Sequence, residues 1–452
     1  MKKIWVVGCV VGLLCMGAAT VNAGGIINRQ NQSADYIRTL NRNAATDAAD
    51  IAVFNPAGVM KLENGFYTKA DVIYLQKDYS NTVPGYGEFE SDEPSIIPGL
   101  FAVYKQDRWS TFFSVTIPAG GGEVDYSDGN ARTVALGNIF NFNYNQAILG
   151  MTGGAIPNFF TGVTNMSMEA DSVQIGYTLG GAFKVNEMLS LAAGVRYIDA
   201  EQNFKGRASL APNPALPGPT QAAILQGLAA GGFATDLEVD LERTATGWGY
   251  FLGANITPTE NLNLGITYFS RTELDFESDV DTDNSPGQSI TNSLGWGDGD
   301  KQREDLPGLI ALGASYRFTP KLRVEVNYTL YLESDANLEE VRFENAGNSY
   351  DAGIAFEYTF SPQWKASLGY LYTDIRGMPP ENLLVEAPEL DANTIAAGVV
   401  FSPTERWQIS FGGLRVWYDS EETNASSSRS PAGTELEKDV WGVALGVQYR
   451  FL

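Results

Sequence analysis

Along most of the chain, apolar and polar residues alternate with a period of two. Leu322, Val324, Val326, Tyr328, Leu330 and Leu332 share one face of an extended segment. Arg323, Glu325, Asn327, Thr329, Tyr331 and Glu333 share the other. Successive side chains of a strand point to opposite sides, so one face of this segment is apolar and the other polar. A soluble sandwich strand can alternate in this way. This run, however, has the ~9–11-residue length with which a tilted strand crosses a bilayer, and is long for a soluble strand. The same pattern returns in Val173–Leu179, Leu189–Tyr197, Leu262–Tyr268 and Tyr350–Phe360. Tyr and Trp cluster at strand ends, as at Trp364, Tyr370, Tyr372, Trp407, Trp417 and Trp441, where amphipathic rings settle at headgroup level.

Short turns punctuate the array. Thr257-Pro258, Thr319-Pro320, Ser361-Pro362 and Ser402-Pro403 each end one strand and open the next, the last three at near-equal intervals. The loops opposite them are longer and acidic, an asymmetry expected of a membrane barrel with short periplasmic turns. The pattern places strands near 65–79, 95–106, 109–118, 171–185, 188–202, 240–257, 261–276, 306–319, 321–333, 349–360, 363–376, 391–402, 405–420 and 437–451. The fold class predicted is an all-β transmembrane barrel of about 14 antiparallel strands. In 405–420 the apolar phase slips from Trp407, Ile409 and Phe411 to Leu414, Val416 and Tyr418, which predicts a bulge at Gly412-Gly413.

Lys2 and Lys3 precede an apolar run, and Val21-Asn22-Ala23 has the small-x-small form of a cleavage site. Residues 1–23 therefore read as a signal peptide and Gly24 as the mature start, with an uncleaved anchor as the alternative. Cys15 suggests a lipoprotein, but Leu14 before it is not small. Both cysteines, Cys9 and Cys15, lie in the leader, so the mature chain has no thiol for disulfides or metal. The net charge is −24 over 452 residues, and loss of Lys2 and Lys3 makes the mature chain more acidic still. Nucleic acid is not expected as a partner, since it requires a basic footprint.

The chain has no histidine. A Ser-His-Asp hydrolase cannot be assembled, and the usual zinc ligands are missing. Gly120-Gly121-Gly122 has no Walker lysine behind it. Asp279-Val-Asp281-Thr-Asp283 opens like a calcium loop, but its sixth position is Asn284 and its twelfth Ile290, so a solvated acidic loop is the better reading. Neither a cofactor nor a metal nor an enzyme activity is expected.

One stretch differs from the rest. Ser33–Leu62 is rich in alanine, carries Asp35, Arg38, Arg42, Asp47 and Asp50, and ends in Asn55-Pro56-Ala57-Gly58, which breaks regular structure. Small residues suit a compact segment inside a confined space. The alternative is a short helical linker capped by a turn. The run Asn41-Arg-Asn-Ala-Ala-Thr-Asp, followed by Ala49-Asp-Ile and Val53-Phe-Asn-Pro-Ala-Gly-Val-Met-Lys-Leu, resembles the N-terminal hatch of the FadL/TodX family of outer-membrane channels for hydrophobic compounds.

The resemblance implies three regions: the leader, a hatch over 24–64 inside the lumen, and the barrel over 65–452. It also implies the strand number counted above. Its function would be passive uptake of small hydrophobic molecules, first long-chain fatty acids and second aromatic or alkane hydrocarbons. A structural or adhesive barrel and a general porin are the rivals. The expected partners are those molecules, outer-membrane lipid and lipopolysaccharide, and the barrel-assembly machinery, which reads a terminal Phe. Here Leu452 follows Phe451. A monomer is expected.

Two long outer loops, 119–170 and 203–239, are apolar. The first carries Phe140, Phe142, Ile148, Leu149, Met151, Phe159, Phe160 and Met166. These are candidate ligand contacts, since Met and Phe suit a promiscuous pocket. Alternatively the two loops pack on each other as a lid core. Arg38 and Arg42 are candidates for meeting a carboxylate, as is the wall residue Arg196. The third strand is expected to stop at Pro118, and Pro118, Gly120 and Gly121 are candidates for a lateral opening in the wall, unless Pro118 merely ends the strand.

Overall fold

The structure is a computed structural model that describes residues 32–282, 285–337, 347–375 and 379–451. The expected signal peptide, the first residues of the mature chain, Asp283 and Leu452 lie outside the described residues.

Fourteen antiparallel strands form a closed barrel. They are β1 Gly65–Val83, β2 Ser95–Lys105, β3 Trp109–Tyr126, β4 Phe160–Lys184, β5 Leu189–Pro212, β6 Asp236–Ile256 and β7 Leu262–Phe269. There follow β8 Gly308–Arg317, β9 Leu322–Leu332, β10 Tyr350–Ser361, β11 Trp364–Asp374, β12 Ala392–Thr404, β13 Trp407–Tyr418 and β14 Glu435–Phe451. The ring closes between the first and last of these, from Phe66 opposite Phe451 to Thr82 opposite Glu435. Closure leaves no edge strand, which is the condition for spanning hydrocarbon. The strand termini at Gly65 and Phe451 lie at the same end as the short turns.

The alternation behaves as the pattern predicts. Trp441, Val443, Leu445 and Phe451 are exposed on the outer face of β14, while Val440, Ala444 and Gln448 are buried inside. One expectation is corrected: β12 and β13 pair without interruption through Gly398–Gly412 and Ala397–Gly413, so there is no bulge at Gly412-Gly413, and the one register shift of this pair lies between Phe401 and Thr404. Leu414 and Val416 face inward, where they join the apolar core of the N-terminal segment. Gly412 is required for another reason. A Cβ there would lie 2.8 Å from the Arg38 amide nitrogen.

The long loops are also shorter than read from the sequence. β3 continues to Tyr126, β4 begins at Phe160 and β5 runs to Pro212, so three strands rise well beyond membrane height. Bulges in β3 let the ladder continue past Pro118, as shown below.

Except for Thr46, Asp47 and Lys61, every residue from 33 to 62 is buried. The segment contains two single-turn helices, α1 Ala34–Ile37 and α2 Ile51–Phe54, and a 3₁₀ turn over Pro56–Lys61. Ser33 caps α1, its Oγ accepting from Tyr36 N at 3.0 Å. The segment hydrogen-bonds to strands all around the ring: to Asp71 of β1, Ser190 of β5, Asn255 of β6, Thr329 of β9, Glu357 of β10 and Gln448 of β14.

A closed ladder resists detergent at room temperature and opens on boiling. The unheated protein is therefore expected to migrate differently from the boiled protein on a gel. Identical migration, under conditions that preserve other barrels, contradicts closure.

Candidate functional site

The N-terminal segment is held by charge. Arg42 donates from Nε and Nη2 to the two oxygens of Asp50, at 3.1 and 2.7 Å, and from Nη1 to Asp47 at 2.7 Å. Arg38 donates to Asp35 at 2.7 Å and to Glu357 of β10 at 2.6 Å. Lys365 of β11 reaches Asp47 at 2.9 Å, and Lys69 of β1 reaches Asp35 at 3.2 Å. Arg42 is thus engaged by acids of the segment, and Arg38 by acids of both the segment and the wall. Burial by itself raises the Asp35 carboxyl, but Lys69, Arg38 and Arg42 overcome it and hold the group well below its ordinary 3.8.

The Asn55–Gly58 motif has a definite job in this packing. Asn55 Nδ2 donates to the Ala45 carbonyl at 3.0 Å and to Asn255 Oδ1 at 2.8 Å, tying two parts of the segment to β6. Pro56 opens the 3₁₀ turn, where its missing N–H costs nothing. The Ala57 carbonyl accepts from Ser190 Oγ at 2.8 Å. Gly58 sits under the Asn55 amide, and a Cβ there would come within 2.3 Å of it. The wall is shaped to match. A Cβ at Gly265 would meet the Asn43 carbonyl at 1.9 Å, and one at Gly369 the Thr39 carbonyl at 2.0 Å.

Above this segment lies a cavity of about 390 Å³. Tyr36 and Leu40 form its floor, Leu414, Val416 and Val440 one wall, and Ile96, Ile97, Ile117 and Ala119 the other. Leu40 has φ of 57°, a left-handed conformation that costs a side-chain-bearing residue about 1 kcal/mol or more. Two cations also line the cavity. Lys77 donates to the Glu123 carbonyl at 3.0 Å, and Lys438 lies over the rings of Tyr79 and Tyr418 at 5.1 and 4.7 Å.

The far wall of the cavity is where the barrel ladder is interrupted. β2 and β3 pair from Lys105–Ser110 to Leu100–Val115 and no further. Beyond that pair, Ser95–Gly99 stay bonded to β1 and β3 stays bonded to β4. The β3–β4 register shifts twice, between Thr116 and Ala119 and between Ala119 and Gly122. The sequence expectation of a short third strand is therefore corrected. Pro118 and Gly120–Gly121 occupy bulges inside a long strand, because a bulge accommodates a residue that cannot donate. Gly120 has φ of 104°, and a Cβ there would lie 2.6 Å from the Ser172 carbonyl. Toward the outer end β3 meets the short strand Gly87–Ser91 that precedes β2, with Asp125 N donating to Ser91 Oγ at 2.9 Å.

The outer loop residues divide. Phe140, Ile148, Phe159 and Phe160 are buried in one apolar cluster with Leu228 of the second loop, whose helix α4 spans Gly218–Ala230, and with β6. Phe140 and Ile148 sit on the long helix α3, Ala131–Met151. Leu149 and Met166 are half-buried, and Phe142 and Met151 are exposed. None of the eight lines the cavity. Arg196 lies under the wall with its guanidinium 4.9 Å from the Phe269 ring. Among the described residues no group of His, Cys, Asp and Glu could hold a metal ion.

A comparison with protein families matches residues 14–451 to the outer membrane protein transport protein family (OMPP1/FadL/TodX). The chain belongs to this family. Its members are passive transporters of the outer membrane, not enzymes. No curated protein matches. Among solved structures it is similar to a Pseudomonas aeruginosa FadL homologue, at 16% identity and a TM-score of 0.67, covering 95% of this chain and 100% of the other. It is similar to the Ralstonia pickettii toluene transporter TbuX at 14% and 0.62, over 94% and 99%. It is also similar to the P. putida toluene transporter TodX at 14% and 0.58, over 89% and 94%. At these identities the likeness is one of fold.

Two predictions follow from the charge network. Arg42→Ala leaves Asp50 buried without its cation, which typically costs ~3–5 kcal/mol. The expected result is an N-terminal segment open to protease in an otherwise heat-modifiable barrel; unchanged protection contradicts it. The second concerns acid. A carboxyl held below its ordinary value stabilises the folded state above that value, and the stabilisation is lost as pH falls through the lower, folded one. The segment should therefore stay protease-protected at pH 3.8, the ordinary value for Asp35. Release at or above that pH argues against the ion-pair account.

Proposed function

We propose that this protein is a channel for passive uptake of small hydrophobic molecules across the outer membrane, exported there by its cleaved leader. The single observation that carries the reading is the course of the cavity. It runs from Tyr36 and Leu40 on the N-terminal segment to Ile96, Ile117 and Ala119 at the edge of the interrupted ladder. In this reading residues 24–64 are a hatch that plugs the lumen, the apolar outer lid captures the molecule, and the cavity holds it. Exit is sideways, between β2 and β3 at Pro118–Gly121, into the bilayer. The strained Leu40 is where the hatch and the cavity meet, so the gating shift is local to it, and the ion pairs of Arg38 and Arg42 stay in place.

On substrate, solved relatives described as toluene transporters and monoaromatic hydrocarbon channels support a small apolar aromatic molecule. Lys77 and Lys438 in the cavity favour a second reading, a long-chain fatty acid whose carboxylate they would meet. The two readings separate in one assay. Replacing both lysines by methionine leaves toluene uptake unchanged if the ligand is a hydrocarbon, and abolishes fatty-acid uptake if it is an acid.

The route is tested by closing the wall. The mature chain has no cysteine of its own. Ile97→Cys and Ala119→Cys, joined by a short bifunctional reagent, are expected to stop uptake while ligand still binds in the cavity. Full uptake through the cross-linked wall would falsify lateral exit and point to passage through the hatch. Deleting Gly24–Asp50 is expected to leave an assembled barrel that has lost selective uptake.

A further inference from the structure

The lipid-facing side of the barrel carries a groove directly below the interruption. We propose that this groove receives the transported apolar molecule as it leaves the wall and guides it to the periplasmic leaflet. The inference rests on the lateral exit argued above.

The register builds the groove. One row of outward residues runs Trp407–Tyr449–Thr68–Ala102–Phe113, each directly opposite the next on neighbouring strands. The row above it runs Val447–Ala70–Leu100–Val115. Thr68, Ala70 and Ala102 are small and make a floor. Trp407 and Tyr449 wall one side, Phe113 and Val115 the other. The space between them is about 530 Å³, against about 390 Å³ for the inner cavity, so a molecule held inside also fits outside. On the opposite side of the barrel the row Leu252–Tyr268–Ile310–Leu330 has no such gap in its large side chains.

Position assigns the occupant. Leu100–Val115, the upper lip of the groove, is also the last pair before the β2–β3 ladder stops. Ile96 and Leu100 are 70% and 54% exposed on the same outer face of β2, so an apolar surface leads without a step from the interruption into the groove. Below it, Phe66 and Phe451 face each other, ring centroids 5.6 Å apart, at the end of the barrel where the short turns lie. Hydrocarbon tails are as apolar as the ligand, so there is no hydrophobic gain on entering. Only packing against Trp407, Tyr449 and Phe113 favours occupancy, which makes the site weak and fast-releasing. That suits an exit.

The test uses the full mature protein in vesicles. A diazirine derivative of a small aromatic hydrocarbon is supplied from the outer side and irradiated. Peptides bearing Ala70 and Ala102 are expected to be labelled, and the labelling to be lost when Ile97→Cys and Ala119→Cys are cross-linked. Ala70→Phe with Ala102→Phe fills the groove from the lipid side. Uptake is then expected to slow severalfold with binding in the inner cavity unchanged and gel migration normal. Undiminished uptake in the filled variant overturns the proposal, as does equal groove labelling in open and cross-linked protein, which would mean the probe arrived from the bilayer. Undiminished uptake through the cross-linked wall instead overturns lateral exit itself.

Discussion

No water is available inside a bilayer, so every backbone N–H and C=O of a spanning wall has to find its partner within the wall. The rest of this structure follows from that constraint. It joins β1 to β14 along almost their whole length, from Phe66–Phe451 to Thr82–Glu435. It also gives meaning to a place where neighbouring strands part. Between β2 and β3 the ladder ends at Leu100–Val115, although both strands continue. Pro118 has no N–H to leave unsatisfied, and the two register shifts keep β3 bonded to β4. The exposed groups are therefore fewer than a simple parting of strands would create. The interruption is a built feature whose cost has been lowered by the residues that form it.

A closed ring with apolar residues outside leaves polar ones inside, and these in turn need partners. Arg323, Glu325, Glu357 and Lys365 project from β9 to β11 into the lumen. The N-terminal segment supplies the complementary set in Arg38, Arg42, Asp47 and the Ala44 amide, which donates to Glu325 at 2.8 Å. The buried charges of wall and segment are satisfied by each other, which fixes how the segment sits against the wall. Backbone approaches at Gly265, Gly369 and Gly412 add shape to charge.

The barrel was legible because alternation is a direct consequence of strand geometry, and each lipid-crossing strand carries it locally. Asn55–Gly58 was legible as a turn for the same reason: its conformational restrictions act within four residues. What the sequence hid was non-local. Arg38 and Glu357 are far apart in the chain, and nothing near either names the other. Lys77 and Lys438 come from the first and last strands and share a cavity only because the ring closes. Each sits at an inward position, so strand phase was the signal that could have found them. Glycine was misread at 412 because a bulge and a close backbone approach both require it. Proline was misread at 118 because a strand end and a bulge both tolerate it. The outer loop residues were read as one set, but the helix separates them: Phe140 and Ile148 fall on its packed face and Phe142 on the opposite one, while Met151, in phase with Phe140, is exposed at the helix end.

The N-terminal segment is not held in the same way along its length. Shifting it as a rigid body would break the ion pairs of Arg38 with Glu357, Asp47 with Lys365 and Asp35 with Lys69, together with the hydrogen bonds that Asn55 and Ser190 donate and Gln448 accepts. Buried charge pairs are held by a desolvation penalty that is felt as soon as one partner leaves. The side chains of Tyr36 and Leu40, on either side of Arg38 in the chain, instead line the cavity. Tyr36 stacks on Phe54 at 5.4 Å and Leu40 closes α1 through a 2.6 Å bond from its amide to the Tyr36 carbonyl, both non-ionic contacts. Leu40 already carries backbone strain, so leaving its conformation recovers energy that leaving an ion pair would not. It is also the part of the segment that touches the cavity. A strained residue thus forms part of the cavity floor, two residues along the chain from each of the ion-paired Arg38 and Arg42.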